Sequence, residues 1–106
     1  MEKVYDARRR LRGYVDNNTI YDSDNNIMGY TDGYVLYDQY GTPLAYVDEG
    51  YVRTMGGTPV GYYRDTRLYD MSGNYLGYGN FGFFGLLGAS FLLLLLGGLF
   101  RPKWYW

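Results

Sequence analysis

One segment recurs along the chain and decides the fold: residues 20–30 read IYDSDNNIMGY, residues 36–46 read LYDQYGTPLAY and residues 68–78 read LYDMSGNYLGY. The segments are 16 residues apart or a multiple of 16, and the Tyr-Asp pair and the Gly-Tyr or Ala-Tyr pair keep their places. Residues 4–14 and 52–62 continue the register with some substitutions, so five units follow one another. An internal repeat of this kind predicts an array of similar supersecondary units.

Each unit predicts two short strands joined by a turn. Val, Ile, Leu and Tyr flank turn residues such as Gly41-Thr42 and Gly73-Asn74, and such runs between turns are typical of strands. Asp32-Gly33, which lies between two units, favours a tight hairpin because both residue types tolerate positive φ. Five units therefore predict ten strands in up-and-down order. Because isolated hairpins this short are unstable, we expect the first and last strands to pair and close the array.

Residues at the same place in every unit form a column, and the columns predict how the strands pack. Side chains alternate between the faces of a strand, so Val4 and Asp6 share one face and Tyr5 takes the other. The turn places Tyr21 opposite Gly29, and a ring lying over a cross-strand glycine would explain one column of small residues. That column comprises Gly13, Gly29, Ala45, Gly61 and Gly77.

The repeat resembles the small bacterial proteins called four-fold β-flower proteins, whose units read Ile-Tyr-Asp, a short turn with Gly, then Gly-Tyr or Ala-Phe. The similarity covers residues 4–80. The resemblance implies a symmetric β-array and no particular chemistry. Five registers depart from a four-fold count unless the outer two units form one composite unit. The apolar C-terminus also departs from the polar Pro/Gly-rich tail that we expect of the family.

The C-terminal segment has a different composition from the repeat. Residues 81–100 read FGFFGLLGASFLLLLLGGLF and carry no charge. Twenty helical residues span about 30 Å, the thickness of the hydrocarbon core of a bilayer, so the segment predicts a transmembrane helix. Arg101, Lys103 and the aromatic residues after them suit the headgroup region. We therefore expect a β-repeat domain at 1–80, the transmembrane helix at 81–100 and an interfacial tail at 101–106.

The same segment predicts where the protein lies and how it associates. Residues 1–30 contain no apolar run typical of a signal peptide, so we expect a single-pass membrane protein with a cytoplasmic β-domain. Small residues spaced by three or four let helices approach closely in lipid, which predicts self-association of the helix. The stripe comprises Gly82, Gly85, Ala89, Leu92 and Leu96.

Catalysis is disfavoured by the composition. The chain has no His and no Cys, which removes the usual general base, the commonest metal ligand and thiol chemistry. A column of acids begins the turns, and Asp in that place typically caps the turn by accepting backbone N–H bonds. The residues of this column are Asp6, Asp22, Asp38 and Asp70. No tuned acid–base pair and no complete calcium loop is visible, so we expect no enzyme, no metal and no cofactor.

Two sets of side chains are candidates for ligand recognition. Exposed aromatic residues beside acids are typical of stacking platforms, and here they are Tyr34, Tyr40 and Tyr51. Arginines suit phosphate groups or anionic lipid headgroups, and the candidates are Arg8, Arg9, Arg10, Arg12 and Arg53. Duplex nucleic acid is disfavoured because residues 13–52 hold seven acids and no base.

Together these patterns favour a non-catalytic, membrane-anchored β-repeat module that recognises a ligand or partner and self-associates through its helix. The first alternative is a membrane-disrupting effector of a bacterial defence or toxin system, gated by a nucleotide-like signal. The second is a structural assembly protein. The expected partners are the lipid bilayer, further copies of the chain and a small molecule such as a nucleotide.

Overall fold

The computed structural model describes residues 1–79 and 87–95. Its ten strands are β1 (Glu2–Asp6), β2 (Leu11–Asp16), β3 (Thr19–Asp22), β4 (Ile27–Thr31), β5 (Val35–Asp38), β6 (Pro43–Asp48), β7 (Tyr51–Thr54), β8 (Pro59–Arg64), β9 (Arg67–Asp70) and β10 (Tyr75–Gly79). Each strand pairs antiparallel with its sequence neighbours, and β1 pairs with β10, so the sheet closes into a barrel. The predicted order of ten strands and the pairing of the first with the last are confirmed.

The strands are joined by two kinds of turn at opposite ends of the barrel. Five long turns lie at residues 6–10, 22–26, 38–42, 54–58 and 70–74, and we call this the long-turn end. Shorter turns define the short-turn end, where Asn17 and Asn18 adopt positive φ of 49° and 63°. The five long-turn hairpins are complete units. The count is therefore five, not the four that the resemblance implies, because β1 and β10 each belong to a hairpin of their own.

A bulge in each long-turn hairpin changes one predicted register. Ile20 pairs with Gly29, and the register then shifts so that Tyr21 pairs with Ile27. The prediction that Tyr21 lies opposite Gly29 is therefore wrong by one position. The extra residue follows from the turn, where Asn25 takes a positive φ of 67° and the returning strand gains one residue over its partner.

The barrel interior is lined by two repeated columns. The aliphatic column is fully buried and comprises Val4, Ile20, Leu36, Val52 and Leu68. The small-residue column lies beside it on the neighbouring strand, as Ile20 beside Gly29 shows. Because barrel diameter grows with strand number, ten strands with glycine at many inward positions leave space along the axis that strand side chains do not fill.

A helix fills that space, and we call it the core helix. Residues 87–89 form an α-helical turn that continues as a π-helix at Ser90–Leu95. The helix packs on β8 and β10. Leu87, Ala89, Leu92 and Leu93 are buried in the same apolar cluster as the strand side chains. The helix and the sheet therefore share one hydrophobic core.

The core helix runs from the short-turn end towards the long-turn end. Near its start, a Cβ built on Gly88 would lie 2.5 Å from Cγ2 of Val15. Near its end, a Cβ built on Gly77 would lie 2.6 Å from Cδ1 of Leu93, and Gly77 pairs with Asp6 at the long-turn end. Glycine at these two positions thus allows the strand and the helix to approach closely. Contact with the core helix, and not an overlying tyrosine ring, explains why residue 77 is small.

The predicted transmembrane helix at 81–100 is described in part. Its residues 87–95 are the core helix, whose leucines occupy the apolar space inside the barrel. Within residues 1–79 and 87–95, no helix combines the length and the hydropathy that crossing a bilayer requires. Residues 81–86, residues 96–100 and the predicted tail at 101–106 lie outside the described residues.

Candidate functional site

The acidic column closes the long turns. In the second unit, Asp22 Oδ1 accepts hydrogen bonds of 2.9 Å from the backbone N–H groups of Asp24 and Asn26. Asp38 and Asp70 bind the same two amides of their own turns. The predicted capping role of this column is confirmed for these turns. Among the described residues, no group of three acidic side chains is arranged to hold a metal ion.

Acid is expected to destabilise the barrel through these caps. A hydrogen bond from the Asn74 side chain lowers the pKa of Asp70. Burial acts to raise the pKa of Asp6, but hydrogen bonds from Arg10 and Arg8 outweigh it and lower this pKa overall. Since both values lie below the ordinary 3.8, the stabilisation is complete above that pH and disappears as the pH falls through the folded-state pKa. Urea unfolding should give a constant free energy between about pH 7 and pH 5 and a decreasing one below about pH 4.

A matched variant tests the cause of this acid sensitivity. Asp70→Ser keeps an oxygen that accepts the turn amides but has no titratable carboxyl, so its stability should fall less steeply in acid. A wild-type stability that rises as the pH falls below 4 would contradict the capping account.

The tyrosine columns face outward and pair across neighbouring strands. Tyr14 and Tyr21 stack with ring centroids 4.7 Å apart, and Tyr5 and Tyr78 stack at 5.2 Å across the closing seam. Such pairs stabilise antiparallel sheets and cover their outer face. Most tyrosines are therefore explained by the sheet itself.

Arg53 replaces a tyrosine in one of these cross-strand pairs and faces Tyr46. Its Nη1 donates a 2.9 Å hydrogen bond to the Gly57 carbonyl, and its Nε lies 3.7 Å from Asp48 Oδ2. The guanidinium carbon also lies 5.2 Å from the centroid of the Tyr51 ring. These three contacts hold Arg53 against the sheet, which favours a structural role for this candidate.

The three candidate aromatic residues do not lie at one end of the barrel. Tyr40 is on a long turn and is 84% exposed, whereas Tyr34 and Tyr51 lie at the short-turn end. Tyr34 packs against Tyr46 with ring centroids 5.7 Å apart. The structure therefore brings no stacking platform together from these three residues.

A cleft of about 560 Å³ lies on the outer face of β9 and β10. Its lining residues are Ala7, Arg9, Thr66, Arg67, Tyr69, Tyr75 and Tyr78. Arg67 stands opposite Tyr78, and Tyr69 stands opposite Tyr75, on the paired strands. Arg9 reaches the cleft from the first long turn, because closure of the barrel brings β1 beside β10. Two guanidinium groups and three phenol rings therefore converge.

The charged side chains among the described residues that line the cleft are both positive. Neither Arg9 nor Arg67 forms a salt bridge with any residue that the structure describes. Burial raises the pKa of the Tyr75 phenol, and the two arginines only oppose this increase. The phenol therefore stays protonated at neutral pH and offers a hydrogen-bond donor beside the two cations.

Three cleft residues depart from the repeat, and this departure makes the cleft unlike its counterparts. At the position of Arg9 the other units carry Asn25, Gly41, Gly57 and Gly73. At the position of Tyr75 they carry Leu11, Ile27, Pro43 and Pro59. At the position of Arg67 they carry Lys3, Thr19, Val35 and Tyr51. The sequence analysis did not identify Arg67, Tyr69, Tyr75 and Tyr78 as site residues. Arg67 and Tyr75 could have been found by looking for residues that differ from those at the same place in the other units.

The predicted arginine cluster divides between two places. Arg9 enters the cleft, whereas Arg10 and Arg12 turn towards Asp6 at the long-turn end. Arg10 Nε lies 2.8 Å and Arg12 Nη1 lies 3.5 Å from Asp6 Oδ2. Arg8 lines a second, smaller pocket with these two arginines.

The residues predicted for helix association divide as well. Ala89 and Leu92 belong to the core helix and are buried against the barrel strands. The other members of the stripe lie outside the described residues: Gly82, Gly85 and Leu96.

Comparison with known families agrees with this geometry. The model of the family described as 5-fold beta-flower protein matches residues 1–93, which include all ten strands and most of the core helix. The family's five-fold count equals the number of long-turn hairpins and corrects the four-fold count of the resemblance. No curated protein and no solved structure matches the chain significantly. Because the match covers most of its length, the chain belongs to the 5-fold beta-flower protein family.

Proposed function

We propose that this protein is a non-catalytic binding module whose cleft recognises a small anionic ligand with an aromatic ring, such as a nucleotide. The observation that supports this is the convergence of Arg9 and Arg67, both without a salt bridge among the described residues, with three tyrosines. Guanidinium groups bind phosphate through charge-assisted hydrogen bonds. Aromatic side chains stack on nucleobases with about 1–3 kcal/mol per base.

A binding role fits the cleft better than a catalytic one. Among the described residues, its lining side chains include two arginines, three tyrosines and a threonine, and no carboxylate. Proton transfer at neutral pH needs a group whose pKa lies near the operating pH. Arginine stays charged and the Tyr75 phenol has a raised pKa, so these side chains hold a ligand but do not exchange protons with it.

Isothermal titration of the full-length protein with three probes tests the proposal. The probes are adenosine 5′-monophosphate, adenosine and inorganic phosphate. We expect the nucleotide to bind more tightly than either of its parts, because only the nucleotide engages both the arginines and the rings. Equal affinity for all three probes, or no binding of the nucleotide, would contradict the proposal.

Substitutions taken from other units should remove this binding without harming the fold. Arg67→Thr introduces the residue found at Thr19, and Tyr75→Leu introduces the residue found at Leu11. Each should weaken nucleotide binding at least about tenfold, which corresponds to about 1.4 kcal/mol. Arg64→Ala is the matched control, because Arg64 carries the same charge but does not line the cleft. An equal loss in the control would indicate a nonspecific effect of net charge.

The membrane-disrupting effector is the second candidate. It is favoured by the 20 uncharged residues at 81–100, a length that suits a bilayer. In this mechanism, a ligand in the cleft beside β10 would release the apolar segment into the membrane, where small residues support self-association. Expression of the full chain should then be toxic, and deletion of residues 81–106 should remove the toxicity. Harmless expression with and without added nucleotide would count against this candidate.

A further inference from the structure

The first long turn differs from the other four because arginines surround its capping aspartate. Asp6 is only 8% exposed. Its Oδ1 accepts backbone N–H bonds from Arg8 and Arg10 at 2.9 and 3.0 Å. Its Oδ2 accepts a 2.8 Å bond from Nε of Arg10 and lies 3.5 Å from Nη1 of Arg12. Both carboxylate oxygens are thus fully engaged.

Folding of the turn does not require these arginines. At the position of Arg8 the other units carry Asp24, Tyr40, Gly56 and Ser72. At the position of Arg10 they carry Asn26, Thr42, Thr58 and Asn74. At the position of Arg12 they carry the apolar residues Met28, Leu44, Val60 and Leu76. The other four long turns of the barrel therefore close with uncharged side chains at the positions that correspond to Arg10 and Arg12.

The three arginines line a pocket of about 200 Å³ that we call the mouth pocket. It lies at the long-turn end, where the core helix reaches the rim of the barrel. Leu76 and Leu93 supply apolar surface, and Ala7 and Tyr75 complete the lining. Among the described residues that line the pocket, Asp6 is the only acid. Three guanidinium groups against one carboxylate leave an excess of positive charge at the pocket.

The arginines keep donors for a ligand after binding Asp6. Each guanidinium has five N–H donors, and Asp6 uses one of Arg10 and at most one of Arg12. The side chains of Arg10 and Arg12 are 62% and 42% exposed. Guanidinium groups bind tetrahedral oxyanions through several parallel bonds, which favours a phosphate group as the ligand.

We propose that the mouth pocket binds a phosphate monoester dianion between Arg8, Arg10 and Arg12, with the adjoining apolar part of the ligand on Leu76 and Leu93. The mouth pocket adjoins the cleft, since Ala7 and Tyr75 line both. Its three arginines do not line the cleft, so the proposal does not depend on the function proposed for the cleft. The phosphate monoester is either a small free molecule or the headgroup of an anionic lipid such as phosphatidic acid.

A variant built from the fifth unit tests this site. The triple change Arg8→Ser, Arg10→Asn and Arg12→Leu introduces the residues found at Ser72, Asn74 and Leu76. We expect its affinity for inorganic phosphate, titrated at constant ionic strength, to be at least about tenfold weaker than that of the wild type, because charge-assisted bonds are lost. Its urea unfolding should stay cooperative, since Asp70 already closes a turn with these neighbours.

Controls separate this site from charge in general and from the cleft. Arg12→Leu and Arg64→Ala each remove one positive charge, and only the former should weaken phosphate binding. Arg67→Thr changes a residue of the cleft alone and should leave the affinity for inorganic phosphate unchanged. Loss of phosphate binding in the triple variant, with phosphate binding retained in Arg67→Thr, therefore supports the mouth pocket even if the cleft proposal fails.

Vesicles distinguish the two sources of the phosphate group. Vesicles of phosphatidylcholine with phosphatidic acid are compared with vesicles of phosphatidylcholine alone, for the wild type and the triple variant. Wild-type binding to the phosphatidic acid vesicles that is lost in the variant indicates a lipid headgroup. Binding of inorganic phosphate without vesicle binding indicates a small free ligand. Phosphate affinity unchanged in the triple variant, or no binding of either probe by the wild type, would overturn the proposal.

Discussion

Replacing Leu87 by alanine is expected to lower the free energy of unfolding by about 2–5 kcal/mol. Leu87 is fully buried in the cluster that joins the core helix to the strands. The change removes three carbon atoms at a place where a closed hydrogen-bonded sheet limits collapse around the cavity. Urea unfolding of the full-length protein, followed by the near-ultraviolet circular dichroism of its tyrosines, measures the difference.

Leu11→Ala is the matched control for this prediction. Leu11 begins β2 and is 42% exposed, so the same chemical change should alter stability by less than about 0.5 kcal/mol. The comparison also bears on the predicted transmembrane helix at 81–100. A segment that crosses a bilayer instead of filling the barrel would make Leu87→Ala as neutral for barrel stability as Leu11→Ala. That result would contradict the buried position of the core helix.

Replacing Gly13 by alanine is expected to destabilise the barrel by about 3 kcal/mol or to prevent folding. A Cβ at this position would overlap the Tyr21 carbonyl oxygen on the neighbouring strand and lie 2.5 Å from Cδ1 of Leu92 on the core helix. The carbonyl belongs to a paired strand and cannot move without breaking the ladder. Thermal and urea unfolding of the variant measure the loss.

Gly56→Ala provides the control, because the nearest atom to a Cβ there is Oγ1 of Thr54 at 3.9 Å. Its stability should stay within about 0.5 kcal/mol of the wild type. A double variant with Leu92→Ala tests the helix contact directly. Removing the leucine relieves part of the clash. The double variant should therefore lose less stability than the sum of the losses of the two single variants. Strict additivity would show that Leu92 does not lie against Gly13.

The hairpin units could be predicted because their causes are local. In the third unit, Asp38 binds the turn amides, Gly41 supplies a positive φ of 86°, and Pro43 begins the next strand. Each of these effects acts within five residues, so it can be predicted from one short segment of the sequence. Repetition of the same local pattern five times then predicts ten strands, their order and the pairing that closes them.

The strand register was predicted only as far as strict alternation holds. Alternation correctly predicted that Val4 and Asp6 share one face and that Tyr5 takes the other, and the structure shows that the shared face is the buried one. The predicted pairing of Tyr21 with Gly29 was wrong, because a bulge inserts one residue on the returning strand and strict alternation does not allow for an inserted residue. Gly13 and Gly77 of the small-residue column therefore face the core helix, a neighbour that the repeat pattern alone did not predict.

The residues that line the cleft were predicted only in part, for a similar reason. The arginines of the first unit stand out in the sequence, and Arg9 does line the cleft. Its partners Arg67 and Tyr75 are distant in the chain and meet it only because β1 pairs with β10. Convergence of that kind depends on closure of the whole sheet, which no short window of residues contains.

Local turn chemistry and its repetition were sufficient to specify a closed array of hairpins in this protein. They were not sufficient to place the apolar segment at 81–100. A bilayer and the interior of a ten-stranded barrel both exclude water, so hydropathy favours them equally for the same leucines. The choice for residues 87–95 depends on the space that the inward glycines leave, and that space exists only after all ten strands have closed.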